Sequence, residues 1–515
     1  MQILDFSPDN LAIVLSNSYT SASLIKTKTH FQYFTEYLGE EGLNAKTILI
    51  EESYVSKDYL HDYASYYALC FENYPKVCKR VHFFKNKFDY HYFQNVVIGS
   101  HIENESFWDA YLGFIVVKPI PTTTIGYTVL KTYENGNDFD SRNFWGLRQY
   151  CIHIFGNEVK INSLAFQEQD SVLAACATTA IWTMLNKASV DFYTTLKSPN
   201  QITKDADSVS PGGGRLFPNK GLNLLQICHA ILNSGLVSEI KQPDYHITNE
   251  DGQIIESFIS NTYLKKILNA YSGIGIPIIL VAQVPYEGDY GLHAIVVSGY
   301  KQSSPVHIAP QDKISFLSEN IEKIYAHDDQ WGPFVRIDFG KDIDLITPWT
   351  VSDTECAPSR LIQIVVPVYP KIRISYEDIE VIVLGLDTIL TLFFDGNIIA
   401  DLIWDIKIDY SENFKKHLID SSLDVNEKFD HVSKSLPKYL WIASCYIAEF
   451  KIIEFVFDAT DVNNGMIGNS IVCYLADDFK MILSEFLMTN SELLQSLVKH
   501  KAKIDYYKFF MERLK

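Results

Sequence analysis

Cysteine is scarce in this chain: eight residues in 515, at positions 70, 78, 151, 176, 228, 356, 445 and 473. They form no CxxC pair and no zinc spacing, and so thin a scatter is not a disulfide scaffold, so a reducing cytoplasm is the expected compartment. Long apolar runs are missing too. The two most hydrophobic stretches, 274–284 and 381–394, are broken by Gly275 and Pro277 and by Asp387, and both fall short of the roughly 20 residues a bilayer requires. The first eight residues lack the basic start and apolar core of a secretory signal. Basic residues are outnumbered, 44 against 63 acidic, for a net charge of -19, which argues against nucleic acid and anionic membrane as partners. No HExxH occurs, His293, His307 and His327 lack ligand spacing, and the glycine-rich stretch 210–218 has neither a GK[ST] ending nor GxGxxG spacing. That stretch reads as a flexible loop, and neither a metal nor a cofactor is expected.

What is present is ordinary globular material, 47% hydrophobic with 31 Tyr and 31 Phe, in a chain long enough for two to four domains. The pattern is α+β. Strands are predicted at 11–15, 47–50, 81–84, 95–98 and 112–117, with helices at 31–43 and 59–71. The tyrosines from 54 to 67 recur at helical spacing, which reads as core packing. Three regions are predicted: 1–150, an N-terminal α+β region whose strands are candidates for the catalytic sheet; 151–370, the catalytic domain; and 371–515, a C-terminal α+β accessory domain that ends in an amphipathic helix over 491–514. Asp458 to Gly465 carries several oxygen donors without the spacing of a calcium loop, and reads as a capped turn.

Cys176 stands among small residues in a helical pattern over 169–186. A thiol with a free pKa near ~8.5 needs a base, a cation or a helix N-terminus to react. Asp170 is a candidate N-cap, which would place Cys176 in the second turn. Two predicted strands, 278–282 and 294–297, form a hairpin, and His293 opens the second between Leu292 and Ala294. Its imidazole is a candidate base. Asp328 and Asp329, in the turn Asp-Asp-Gln-Trp-Gly332, offer the carboxylate that would orient it. A single buried cysteine is more often a small hydrophobe than a nucleophile; the ordered set of three patterns is what points to a site.

His293-Ala-Ile-Val-Val-Ser-Gly-Tyr300 resembles the His-Ala-x-x-x-x-Gly-Tyr strand of papain-like cysteine peptidases, and Cys176-Ala-Thr-Thr-Ala-Ile-Trp182 resembles their nucleophile helix. Asp328-Asp-Gln-Trp-Gly332 is similar both to the Asn-Ser-Trp-Gly turn of papain and to the Asp-Pro-x-x-Gly turn of the bacteriocin-processing branch, which is the closer likeness. The first alignment makes Asp329 the orienter and the second Asp328; Asp328 is preferred. The resemblance covers roughly residues 165–335. It implies a core in which the nucleophile helix packs on an antiparallel sheet, and an oxyanion hole made by the backbone N–H of Cys176 and a preceding glutamine. Gln169 is the nearest, one residue farther from the cysteine than the family's usual spacing, and Gln167 is farther still. The 35 residues between His293 and Asp328 imply an insertion over 303–320.

The function expected from this is that of a cytoplasmic, bacterial thiol hydrolase that cleaves a peptide or isopeptide bond in a protein or peptide substrate. The terminal regions would serve substrate recognition or a regulatory partner. The alternatives are amide transfer or deamidation at the same thiol, and a silent scaffold that binds or senses.

Overall fold

The computed structural model describes the chain except for residues 100–102, 135–139, 171–174, 210–220, 304–313, 396–401, 463–467, 491 and 493–515. The predicted loop at 210–218 lies outside the described residues, as does nearly all of the predicted helix at 491–514. Two compact units emerge: Met1–Ile259 with Ile276–Lys301 and Lys323–Pro367, and Ser260–Gly275 with Gln302–Glu322 and Val368–Lys515. Of the predicted regions, 1–150 falls in the first unit, 371–515 in the second, and 151–370 is shared between them. The fold class is α+β, built mainly on antiparallel sheets.

The first unit opens with a five-stranded sheet in the order Gln2–Asp5, Thr47–Tyr54, Cys78–Phe84, Tyr111–Val117, Ile125–Leu130, every neighbour antiparallel. Helices Pro8–Leu15 and Thr29–Leu38 pack on it through Leu11, Leu15, Phe34 and Leu38, against Ile48, Val81 and Ile115. The strand predicted at 11–15 is thus a helix. Ser7 caps it, accepting from the N–H of Asn10 at 3.2 Å, and Pro8 fits its first turn, so the apolar run is buried at 11, 12, 14 and 15 while Ile13 faces out. The strand predicted at 95–98 is also helix, the end of Tyr90–Ile98, because the Asp89 cap outweighs three β-branched residues in a row.

The second sheet carries the site. Its order runs Ile278–Tyr286, Asp289–Ser303, Ile321–Asp328, Gly332–Phe339, Asp344–Ile346, Ser359–Val368, and the last strand pairs back antiparallel with the first. The ring of six strands therefore closes, which leaves no free edge within it. Val237–Lys241 and Asp140–Asn143 pair with it from outside the ring. The predicted hairpin is present, but its second strand begins at Asp289 rather than at His293, which lies inside it opposite Ala282. Residues 293–300 are all buried, as expected of a strand covered on both faces.

The second unit is a sheet of Leu402–Tyr410, Tyr439–Ile447, Phe450–Asp458 and Gly468–Cys473, antiparallel throughout, with Ser315–Phe316 added in parallel. Helix Asn261–Tyr271 is tied to it by the Asn269 amide, which donates to Asp405 Oδ1 at 2.7 Å. Asp458 accepts from the backbone and hydroxyl of Thr460, so it caps a turn. Among the described residues no helix is long and apolar enough to cross a membrane.

Candidate active site

The Cys176 helix, Cys176–Asp191, begins at the cysteine itself. The alternative start at an Asp170 cap is overturned: Asp170 accepts instead from the Tyr67 hydroxyl at 2.7 Å, and Ala175, in an extended conformation, is the N-cap. Cys176 is therefore the first helical residue. Its N–H is one of the donors that a helix leaves unpaired, and the positive end of the macrodipole acts on its sulfur. Behind it the helix is buried from Ala177 to Asn186, with Trp182 set edge-on to Tyr127 at 5.7 Å, so the thiol is held on a rigid element.

His293 lies within hydrogen-bonding reach of the Cys176 thiol. Its Nε2 meets Asp328 Oδ1 at 2.8 Å, so Nδ1 is the nitrogen available to the sulfur. Asp328 is fully engaged: Oδ1 also accepts from the Gln330 N–H at 3.0 Å, and Oδ2 accepts from the indole N–H of Trp349 at 2.8 Å. Burial alone would neutralise both groups of the pair. It is outweighed on His293 by the Asp328 carboxylate, the thiol and Asp329, which hold the imidazole well above its ordinary range. On Asp328 burial is outweighed by His293 and by the donors Gln330 and Trp349, which hold it below the usual carboxylate range. The result is a buried imidazole–carboxylate pair that favours a proton on the ring, beside a thiol that can supply it.

Asp329 Oδ1 is farther from the ring, 3.7 Å from Nε2, and neither of its carboxylate oxygens has a hydrogen-bond partner among the described residues. Its backbone carbonyl accepts from His30 at 2.8 Å and from the Gln169 N–H at 3.4 Å. His293, Asp328 and Asp329 offer ligand atoms within 4.8 Å of one another, as a metal would need. A cation bound by Asp328, however, would have to displace three donors already in place, so the carboxylate is better matched to orienting the imidazole.

Gln169 sits beside this turn, where its Oε1 accepts from the side-chain amide of Gln330 at 2.9 Å. That contact makes its NH2 the donor end, the orientation an oxyanion ligand requires. Gln167, two residues earlier, is buried. The four residues singled out in the sequence, Cys176, His293, Asp328 and Gln169, are thus gathered at one place with Asp329.

Two contributors escaped the sequence reading. Trp349 lies in the short helix Pro348–Ser352, its ring 5.2 Å from that of His293 and inclined by 60°, so it covers the His293–Asp328 bond as well as donating to it. The local signal was Thr347-Pro-Trp-Thr350, a capped helix start with proline in the first turn, but nothing in it shows which carboxylate the indole meets. Gln330 reads as a turn residue until its two contacts are seen.

Comparison with models of known protein families gives no match, and neither does comparison with curated proteins.

Proposed function

We propose that this chain is a papain-like thiol hydrolase acting on a peptide or isopeptide bond. The observation that carries the reading is Cys176, at the first position of a buried helix, within reach of a His293 whose far nitrogen is held by Asp328 at 2.8 Å. The closed antiparallel ring beside the nucleophile helix supports a papain-like core.

In this mechanism the proton moves from Cys176 Sγ to His293 Nδ1, and the thiolate attacks the carbonyl carbon to form the C–S bond. The Cys176 N–H and the Gln169 amide stabilise the oxyanion. The amine leaves with the proton from His293, and water, deprotonated by the same ring, resolves the thioester to the acid. If an amine replaces water in the last step the reaction is amide transfer, with the same residues in the same roles. All eight cysteines are free, which supports a reducing, cytoplasmic setting, and the second unit is a candidate for substrate recognition or for a regulatory partner.

The test is labelling with an iodoacetamide or epoxide probe at neutral pH, read by peptide mass spectrometry. Selective modification of Cys176 is expected, abolished in Cys176→Ala and strongly slowed in His293→Ala. Eight equally slow cysteines would instead identify a silent scaffold.

A further inference from the structure

Against the nucleophile helix lies a cavity of about 10 Å3, lined by Phe166, Cys176, Thr179, Thr183, His327 and Asp329 among others. That is the room one water needs. Two buried groups in its wall lack partners among the described residues: both carboxylate oxygens of Asp329, and Nδ1 of His327. His327 is the informative one. Its Nε2 donates to the Leu164 carbonyl at 3.0 Å, which fixes the tautomer and leaves Nδ1 a bare acceptor. Burial holds this ring's pKa down to about 4, so no second proton arrives near neutrality. Acceptors cannot satisfy one another, and a buried acceptor left unmatched is costly.

We propose that this cavity holds one water donating to His327 Nδ1 and Asp329, and that Asp329 is a positioning residue whose protonation sets how far the Cys176–His293 pair is ionised. The inference rests on the thiol-hydrolase reading. A protonated Asp329 supplies a further donor to the cavity, beside the Thr179 hydroxyl, and adds no charge. An ionised Asp329 places a second negative charge 3.7 Å from His293 Nε2, the nitrogen that Asp328 already holds.

The groups that face Asp329 come from four directions. Its own turn supplies Asp328, and the neighbouring strand His293. The nucleophile helix supplies Cys176 and the Thr179 hydroxyl. From the N-terminal region comes His30, bonded to the Asp329 carbonyl and kept neutral by burial, and beside it Glu168, just ahead of the nucleophile helix, is paired with Lys28. Burial and the Asp328 charge, opposed by His293, push the Asp329 carboxyl up to about 7. Below that value the acid is neutral. Above it, its charge favours imidazolium, and the proton passes from Cys176 Sγ to His293 Nδ1 with no net gain or loss.

The experiment uses the full chain and two readouts. The rate of Cys176 alkylation by iodoacetamide is measured from about pH 5 to 9. The wild type is expected to gain thiolate in two steps, the upper one near 7. Asp329→Asn should show only the lower step and react on the order of tenfold more slowly above neutrality, the effect of one pKa unit on the ring. Infrared difference titration of Cys176→Ala should show a protonated carboxyl band lost across the same window and absent from Cys176→Ala/Asp329→Asn. A crystal structure should show one water within hydrogen-bond distance of His327 Nδ1 and Asp329. A two-step profile surviving in Asp329→Asn, no titrating band, or a dry cavity would overturn the inference. If Cys176 alkylates no faster than the other cysteines, the hydrolase reading fails instead, and the infrared titration still decides where the proton sits.

Discussion

The side-chain amide of Gln330 donates to Gln169 Oε1 at 2.9 Å, while the backbone N–H of the same residue donates to Asp328 Oδ1 at 3.0 Å. One residue thus couples the proposed oxyanion donor to the carboxylate that orients the base. Gln169→Ala is expected to lower kcat about 10²-fold with little change in KM, the cost of one oxyanion donor. Gln330→Ala should lower it about tenfold by freeing the Gln169 amide. The double variant should be no worse than Gln169→Ala alone, and additive losses would mean that Gln330 acts by another route.

Trp349→Phe keeps a ring over His293 and removes the N–H that reaches Asp328. A hydrogen bond to a charged group contributes about 1.5–3 kcal/mol. The Cys176 alkylation rate at neutral pH is therefore expected to fall at least about tenfold. An unchanged rate in a variant with native circular dichroism would remove Trp349 from the site.

Gly332 ends the aspartate turn, and a Cβ there would lie 2.2 Å from a ring carbon of Tyr33. The glycine is needed for close approach rather than for backbone freedom. Gly332→Ala should destabilise the fold by about 1–3 kcal/mol, the usual range for overpacking. Tyr33→Leu in the same chain should recover part of that loss; chemical denaturation measures both.

Stability should fall as pH rises through the acid range because of Asp62. It is buried, one of its oxygens has no partner among the described residues, and burial, eased by Lys118 and reinforced by Asp170 and Asp58, pushes its pKa up to about 7. The unfolded chain releases this proton near 3.8 and the native state holds it to about 7, so the native state loses ground between the two. Asp62→Asn is expected to raise Tm at pH 8 relative to wild type and to leave it unchanged at pH 4; equal shifts at both values would contradict the assignment.

Glu51 behaves oppositely. Although partly buried, it is held at about 2 by hydrogen bonds from His82 and Arg80, so its contribution is present above 4.5 and is lost as pH falls through 2. Glu51→Gln leaves Arg80, itself 7% exposed, without its carboxylate partner. A loss of about 3 kcal/mol near neutrality is expected by denaturant titration.

Much of the site was legible because its patterns are local. Cys176 stands in a run of small helix formers, His293 leads an apolar β-branched strand, and Asp328 lies four residues before a glycine. What the sequence hid was contact over distance. Trp349 reaches Asp328 from 21 residues away, and His30 reaches Asp329 from 299. Local errors had local causes: residues 11–15 and 95–98 have strand-like composition, and capping by Ser7 and Asp89 decided for helix. The start at Cys176 was obscured in the same way, since Asp170 looks like a cap and is spent on Tyr67.

The chain enters the second unit three times, at Ser260, Gln302 and Val368. The first visit supplies helix Asn261–Tyr271, whose Asn269 holds Asp405, and the second supplies the strand Ser315–Phe316 that pairs with Ile403 and Trp404. The two units are therefore interleaved in the gene rather than placed end to end. Neither could have been acquired, lost or exchanged by a single recombination, and cutting the chain after Pro367 would leave the C-terminal part without two pieces of its own unit.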